Sequence, residues 1–345
     1  MSDIGKKAVG IAGTLSNIRR DIHKHPELSF QEHRTAGVIA GILEKAGIEV
    51  RRGVAGTGVV GILRGAAPGK CVALRGDMDA LPIEEKTGAE YASVHQGVMH
   101  ACGHDVHTTC VLGAAILLAS LRESIPGTVK FIFQPAEEKN MGAKEMLKEH
   151  VLSDPDVDAI FGLHAAPSIP AGKVGIKAGP LMAAVDTIRI SVLGEGGHGA
   201  VPDRARDAIV AAASVIQNLQ TVVSRKISPF DQAVVSIGTL HGGQANNIIA
   251  DKVEMGGTVR TYSSETRRKM PELLKNIITH TCSALDTEGE LEYFFDLPPL
   301  VNDPECAEIG RNAAIAVLGA ENVVEPSSSG GGEDFAVFLE HVPGA

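Results

Sequence analysis

No run of apolar residues in these 345 positions is long enough to span a bilayer. Cysteine is sparse. Cys71, Cys102, Cys110, Cys282 and Cys306 are odd in number and widely spread, which argues against a disulfide scaffold and for reduced thiols. Positive charge is in deficit: a formal net charge of −10 weighs against nucleic acid or an anionic membrane as partner. A small anionic substrate is not excluded, since it needs only a local Arg or His. Tryptophan is absent and aromatics make up 3%. The N-terminus has no small-residue cleavage site after its mild apolar run. Ile4, Ala8, Ile11, Leu15, Ile18 and Ile22 recur instead at alternating spacings of four and three, one face of an amphipathic helix. We expect a cytoplasmic protein.

What is present is an ordinary globular balance, 44% hydrophobic and 21% charged, with 39 glycines. The length suggests about two domains. Helical periodicity over 31–46 and 106–121 alternates with apolar strand-like runs at 59–63, 71–74, 129–133 and 159–163. Pro68–Gly69 reads as the turn between the first two strands. This order predicts an α/β layer with a mostly parallel sheet and helices on both faces. The pattern then changes. Strands at 186–193, 233–240, 252–260 and 290–295 alternate with helices at 204–224 and from a Ser264 cap to about 285. The order β-α-β-β-α-β is that of a ferredoxin-like unit. We therefore expect a discontinuous α/β domain, residues 1–182 and 297–345, with an inserted α+β domain over 183–296.

Several residue groups could carry chemistry. HACGHDVHTTC, residues 100–110, places Cys102 and His104 one residue apart before an apolar helix. In an extended segment both would face one side, and thiolate with imidazole suits zinc-like ions. A buried Cys beside a capping His or Asp105 explains the pair equally well. FIFQPAEE runs a buried strand into Glu137 and Glu138. One carboxylate can bind metal while its neighbour works on water; a solvated acidic loop is the plain alternative. FGLHAAP delivers His164 at a strand end, and LRGDMDALP delivers Asp77 and Asp79 in the same way. GTGVVG matches a dinucleotide fingerprint, but β-branched residues rather than a helix follow it, and we reject that reading. His198 in GEGGHGAVP reads, by pattern alone, as a turn residue.

Taken together, RRDIHKHPEL, LRGDMDALPI, MHACGHDVHT, FIFQPAEE, GLHAAP, GGHGAVP, GTVRT and GGEDFA resemble the aminoacylase superfamily of dinuclear metallohydrolases. The closest resemblance is to the branch of hippurate hydrolase and the indole-acetyl-amino-acid hydrolases. It covers nearly the whole chain and implies two divalent metal ions (Zn2+, Mn2+, Co2+ or Ni2+) acting on a small N-acyl amino acid. It implies metal binding by Cys102, His104, Glu138 and His164, with Glu137 as base and Asp79 supporting the ligands. It further implies that His198 reaches a neighbouring subunit's site, that Asn247 and Arg260 bind the substrate carboxylate, and that the inserted domain forms a homodimer. A dipeptidase or carboxypeptidase with the same centre is the alternative.

Three departures stand out. Gly76 replaces the family's usual Ala, and Asp203 stands where a His is common. The family also carries a further metal-binding His beyond the EDF motif, whereas this sequence stops at Gly344–Ala345 and His341 sits too early to match. The resemblance thus leads us to expect a truncated sequence one ligand short, and with it a catalytically impaired metal-binding protein as the remaining alternative.

Overall fold

A computed structural model describes residues 3–345. The chain forms two compact units. One runs to Gly179 and resumes over Val301–Ser327 and Glu333–Ala345; the other comprises Pro180–Leu300 and Ser328–Gly332. The serine-glycine run at 327–332 is thus divided. Its Ser328–Gly332 part joins the second unit, where the Ser328 hydroxyl donates to the Pro180 carbonyl (2.8 Å) and the Ser329 N–H to that of Leu181 (2.9 Å).

The first unit is mixed α/β. Helices α1 (Asp3–Lys24) and α2 (His33–Lys45) precede strands β1 (Glu49–Val54), β2 (Gly58–Arg64) and β3 (Ala67–Asp77). Helix α3 (His104–Ala119), strand β4 (Pro126–Gln134), helix α4 (Gly142–Lys148) and strand β5 (Ala159–Gly162) follow. The sheet order is β1-β2-β4-β3-β5. Strands β4, β3 and β5 are parallel, and β1 and β2 form an antiparallel pair at one edge. The glycines of GTGVVG thus lead into strand β2, and no helix follows to hold a pyrophosphate. Pro68–Gly69 is not the turn between β2 and β3. It lies at the irregular start of β3, where the register against β4 shifts, a place that suits a residue without an N–H.

Alternation along β4 sets the layers. Phe131 and Phe133 are fully buried with Ile39 and Leu43 of α2 and Val111 and Leu112 of α3. Lys130 points the other way. Its ammonium donates to the carbonyls of Val151, Ser153 and Pro155, at 3.0, 2.9 and 2.9 Å, which satisfies a side chain only 1% exposed.

The second unit is built on β6 (Ala184–Leu193), α5 (Ala208–Thr221), β7 (Ala233–Gly242), β8 (Lys252–Thr261), α6 (Ser264–Ser283) and β9 (Glu288–Leu297). Its antiparallel sheet has the order β7-β8-β6-β9, the ferredoxin-like arrangement. Ile188, Ile190 and Val192 share one face and pack against Ala211 and Val215 of α5 and Leu274 and Ile278 of α6. Two helix starts differ from expectation. Pro202–Arg204 forms a separate short turn, and α5 begins only after Asp207, whose carboxylate accepts from the Ile209 and Val210 N–H groups. Ser263, not Ser264, caps α6, accepting from Glu265 and Thr266. Among the described residues no helix is long and apolar enough to cross a membrane.

Candidate metal centre

Strands β3, β4 and β5 end toward the same side, delivering Asp77–Asp79, Glu137–Glu138 and His164 from their carboxyl ends. That is where parallel α/β sheets place their sites. Cys102 and His104 come together differently from expectation. They do not lie along one extended segment, because His104 is the first residue of α3 and Gly103 before it turns left-handed at φ 91°. A Cβ at Gly103 would also stand 3.0 Å from that of Ala165, so glycine is required on both counts. The bend leaves the Cys102 Sγ 3.4 Å from His164 Nε2.

A second left-handed residue aims the glutamates. Ala136 has φ 52°, a conformation that costs a residue with a Cβ about 1–2 kcal/mol. Fully buried Glu32 holds it there. One Glu32 oxygen accepts the Ala136 N–H (2.9 Å) and the other the Thr57 hydroxyl (2.5 Å), while Gly142 N–H donates to the Ala136 carbonyl (3.1 Å).

Three donor groups share His104, one of them with Asp77 and His107. The donor atoms of Cys102, His104 and His164 all lie within 4.8 Å of one another, and so do those of His104, Glu137 and Glu138. His104 Nε2 is 3.7 Å from Glu138 Oε1 and 3.9 Å from Glu137 Oε2. Asp79, 1% exposed, sits behind them as a hub. It accepts the Ser29 hydroxyl (2.6 Å) and the Glu137 and Glu138 N–H groups (3.1 Å each), and lies 3.2 Å from His104 Nδ1. Such outer partners fix ring orientation and carboxylate placement.

Sequence reasoning passed over a further layer. Arg75, inside β3, pairs with Asp77 (2.8 Å), Glu333 (2.9 Å) and Asp334 (3.1 Å). Asp334 also accepts from Gln134 and Ala143 and presents its N–H to Glu137 Oε1 at 3.4 Å. His107 joins Asp77 (2.7 Å) to the loop after β5. Its Nε2 accepts the Ala165 N–H (2.7 Å), so its Nδ1 carries the proton toward Asp77. The peptide following His164 is thereby anchored. The signals were a lone Arg in an apolar strand and the acidic pair of GGEDF.

The charge balance of this cluster is negative. Burial, together with Glu333 and Asp334, pushes Glu137 up to about 10, and burial pushes Asp334 up to about 7. Burial opposes a charged His104, but the Asp77 charge and the bond from Nδ1 to Asp79 outweigh it and push it up to about 12. Protons thus stand where cations would balance the carboxylates. His104 Nε2 and Glu138 Oε1 are both buried without a hydrogen-bond partner. Their 3.7 Å separation is too long for a hydrogen bond and close to the ~3.4 Å between two ligands of one tetrahedral zinc ion. A sulfur, two imidazoles and carboxylates suit a zinc-like divalent ion. The residues fit the group.

A profile of peptidase family M20/M25/M40 matches residues 73–345. The chain belongs to this family. N-acetyl-L-cysteine deacetylase of Bacillus subtilis strain 168 is 42% identical over 331 residues, 96% of this chain and 79% of the relative. Thermostable carboxypeptidase 1 of Saccharolobus solfataricus is 41% identical over 334 residues, 96% of this chain and 84% of the relative. The crystal structure of Bacillus subtilis YxeP, described as a dinuclear metal-binding peptidase of the M20 family, matches with a TM-score of 0.87 and 41% identity. That match covers 97% of this chain and 87% of YxeP. This M20 chain is a metal-dependent hydrolase of the amidohydrolase kind, and its cofactors are divalent metal ions.

The other expected residues lie in the second unit. His198, exposed, pairs with Ile248 across a two-residue ladder, and Gly199 N–H donates to the carbonyl of exposed Asn247 (2.8 Å), so these two neighbour each other. Arg260, on β8, is half-buried and donates to the Thr258 hydroxyl (2.6 Å).

The start of α3 is held from outside by α1. Asp105 pairs with Arg19 (2.6 Å) and His23 (2.9 Å), and His23 reaches Glu85 (3.2 Å). The Asp105 hydrogen bond raises His23 above its ordinary 6.5, against the opposing effect of burial. A raised pKa stabilises fully below the unfolded value and is lost as pH rises through the folded one. His23→Gln should therefore cost about 1 kcal/mol more near pH 6 than near pH 9, the gap between a charged and a neutral hydrogen bond. Urea unfolding at both pH values measures it; equal losses would mean that His23 is neutral when folded.

Proposed function

We propose that this chain hydrolyses the amide bond of N-acyl amino acids, such as hippurate or N-acetyl amino acids, to a carboxylic acid and a free amino acid. The observation that carries this reading is the sharing of His104 between the Cys102–His164 and Glu137–Glu138 groups. We assign Cys102, His104, Glu138 and His164 as ligands of two divalent ions and Glu137 as general base. When bound, the ions supply Lewis-acid charge that makes water acidic near neutral pH and polarises a carbonyl.

The protein's own groups do the rest. Glu137 takes the proton of the attacking water and passes it to the leaving amine nitrogen. The Asp334 N–H keeps its carboxylate in place. His198 donates to the carbonyl oxygen as charge builds there, and Asn247 and Arg260 receive the substrate carboxylate. The adjacency of the His198 loop and Asn247 supports grouping them. The inserted unit, in this reading, assembles a homodimer.

A carboxypeptidase or dipeptidase reading has one specific support, the name of the Saccharolobus relative. The test is amine release from hippurate, N-acetyl amino acids and dipeptides by protein loaded with Zn2+ or Mn2+. We expect the highest kcat/KM on an acyl amino acid, from a species that sediments as a dimer at micromolar concentration. Higher kcat/KM on dipeptides would reassign the enzyme as a peptidase, and a monomer as the active species would remove the dimer.

A further inference from the structure

Arg260 lies half-buried on β8, and among the described residues no carboxylate pairs with it. All its hydrogen bonds run through one nitrogen. Nη1 donates to the Thr258 hydroxyl at 2.6 Å and stands 3.5 Å from the Val259 carbonyl, at the outer limit of a bond. Nε and Nη2 have no partner there, and neither belongs to the buried unpaired atoms, so both are open to solvent. A planar guanidinium held by Nη1 keeps its Nε–Nη2 edge for another group, and that edge matches the two oxygens of a carboxylate.

Thr258 fixes the guanidinium. In a strand, residues two apart share a face. Val259 and Thr261 are buried, and Thr258 and Arg260 both stand on the opposite face. A β-branched threonine is stiff at χ1, which limits where its hydroxyl can point. That hydroxyl gives its one proton to the Asp186 carbonyl (3.1 Å), and its lone pairs accept from Arg260. Asp186 lies opposite Val259 on β6, a strand with a neighbour on each side, and is itself pinned. Its fully buried carboxylate accepts from Arg267 of α6 (2.7 Å), the Tyr293 hydroxyl of β9 (2.7 Å) and the Asp296 N–H (3.2 Å). Two hydrogen bonds thus tie the guanidinium to the middle of the sheet.

We propose that Thr258 is a positioning residue for the substrate carboxylate. By holding Nη1 it presets Arg260 with the Nε–Nη2 edge open, and the carboxylate of the amino-acid half binds that edge side-on. The inference rests on the N-acyl amino acid reading above. Thr258 touches neither the substrate nor the scissile bond. Its contribution is to spare the ordering of a long side chain when the carboxylate arrives, which corresponds to a factor of up to about ten in binding.

Two measurements test this. The first is steady-state hydrolysis by metal-loaded protein of N-benzoylglycine and of N-benzoylglycinamide, which replaces the carboxylate by an uncharged amide. Thr258→Val keeps the shape and removes the hydroxyl. It should raise KM for N-benzoylglycine about tenfold and leave kcat within about threefold, the pattern of lost uniform binding. On the glycinamide, kcat/KM should stay within about twofold, and Thr258→Ser should restore most of the KM for the acid. A packing defect would act on both compounds alike, so equal losses, or no loss on the acid, overturn the proposal. The second is nitrogen NMR of the guanidinium groups, with the Arg260 signals assigned from Arg260→Lys. A held Arg260 shows separate Nη1 and Nη2 signals in wild type, which Thr258→Val merges. A freely rotating Arg260 in wild type overturns the proposal whether or not the variant folds. If no acyl amino acid is hydrolysed yet Thr258 holds Arg260, the substrate reading fails and the positioning of Arg260 stands. If N-benzoylglycine is hydrolysed and Thr258→Val leaves its KM unchanged, the positioning role fails alone.

Discussion

Glu137→Gln in the metal-loaded protein is expected to lower kcat by a hundredfold or more, with KM within a few-fold of wild type. The amide matches the carboxylate in shape and still offers an oxygen to the Asp334 N–H, 3.4 Å from Glu137 Oε1. What it cannot do is accept a proton from water and return it to nitrogen. Positioned general bases contribute about 10²–10⁴ in rate, which sets the size of the loss. Metal content should not change, because Glu138, His104, Cys102 and His164 remain. Steady-state kinetics with metal analysis on the same samples decides the matter. A variant that kept a tenth of wild-type kcat would show that another group moves the proton.

Arg75→Met should be the most damaging change to stability. The guanidinium is 3% exposed and faces Asp77, Glu333 and Asp334, with Glu137 adding to the same field. Methionine fills much of the volume but leaves the carboxylates without their cation. Breaking a buried ion pair from one side costs about 3–5 kcal/mol, which lowers Tm by about 10 °C for a unit of this size. Two signatures separate this from a packing defect. The loss should shrink as pH falls, since burial raises the proton affinity of Asp334 and Glu137 and their protonation relieves the unpaired charge. It should also shrink on adding Mn2+ or Zn2+, which binds the folded cluster and replaces part of the missing charge. A Tm drop under about 2 °C at neutral pH would show that the network is dispensable.

Much of the fold was legible because its signals are local. The period of Ile188, Ile190 and Val192, and the order of strands and helices around them, is written in neighbouring residues. The ends of β3, β4 and β5 could be read too, because a ligand-type residue after an apolar run is conspicuous. The capping at Ser263 and the late start of α5 at Asp207 were missed by a few residues, as helix ends depend on which nearby side chain wins the bond. The Arg75 network was not legible. Its partners Glu333 and Asp334 lie 258 and 259 residues away, and nothing local tells a buried guanidinium from an exposed one. His107 lies in plain view within HACGHDVHTTC, but its work is to hold a backbone N–H that only the folded loop supplies.

That long separation also affects how the protein is made. Arg75 leaves the ribosome 258 residues before Glu333, roughly 13–50 s earlier at ordinary elongation rates. During that interval the inserted unit is synthesised, while Arg75 can bond Asp77 and Gln134 but not Glu333 or Asp334. The central charge cluster of the first unit therefore closes only after Glu333 and Asp334 have been made.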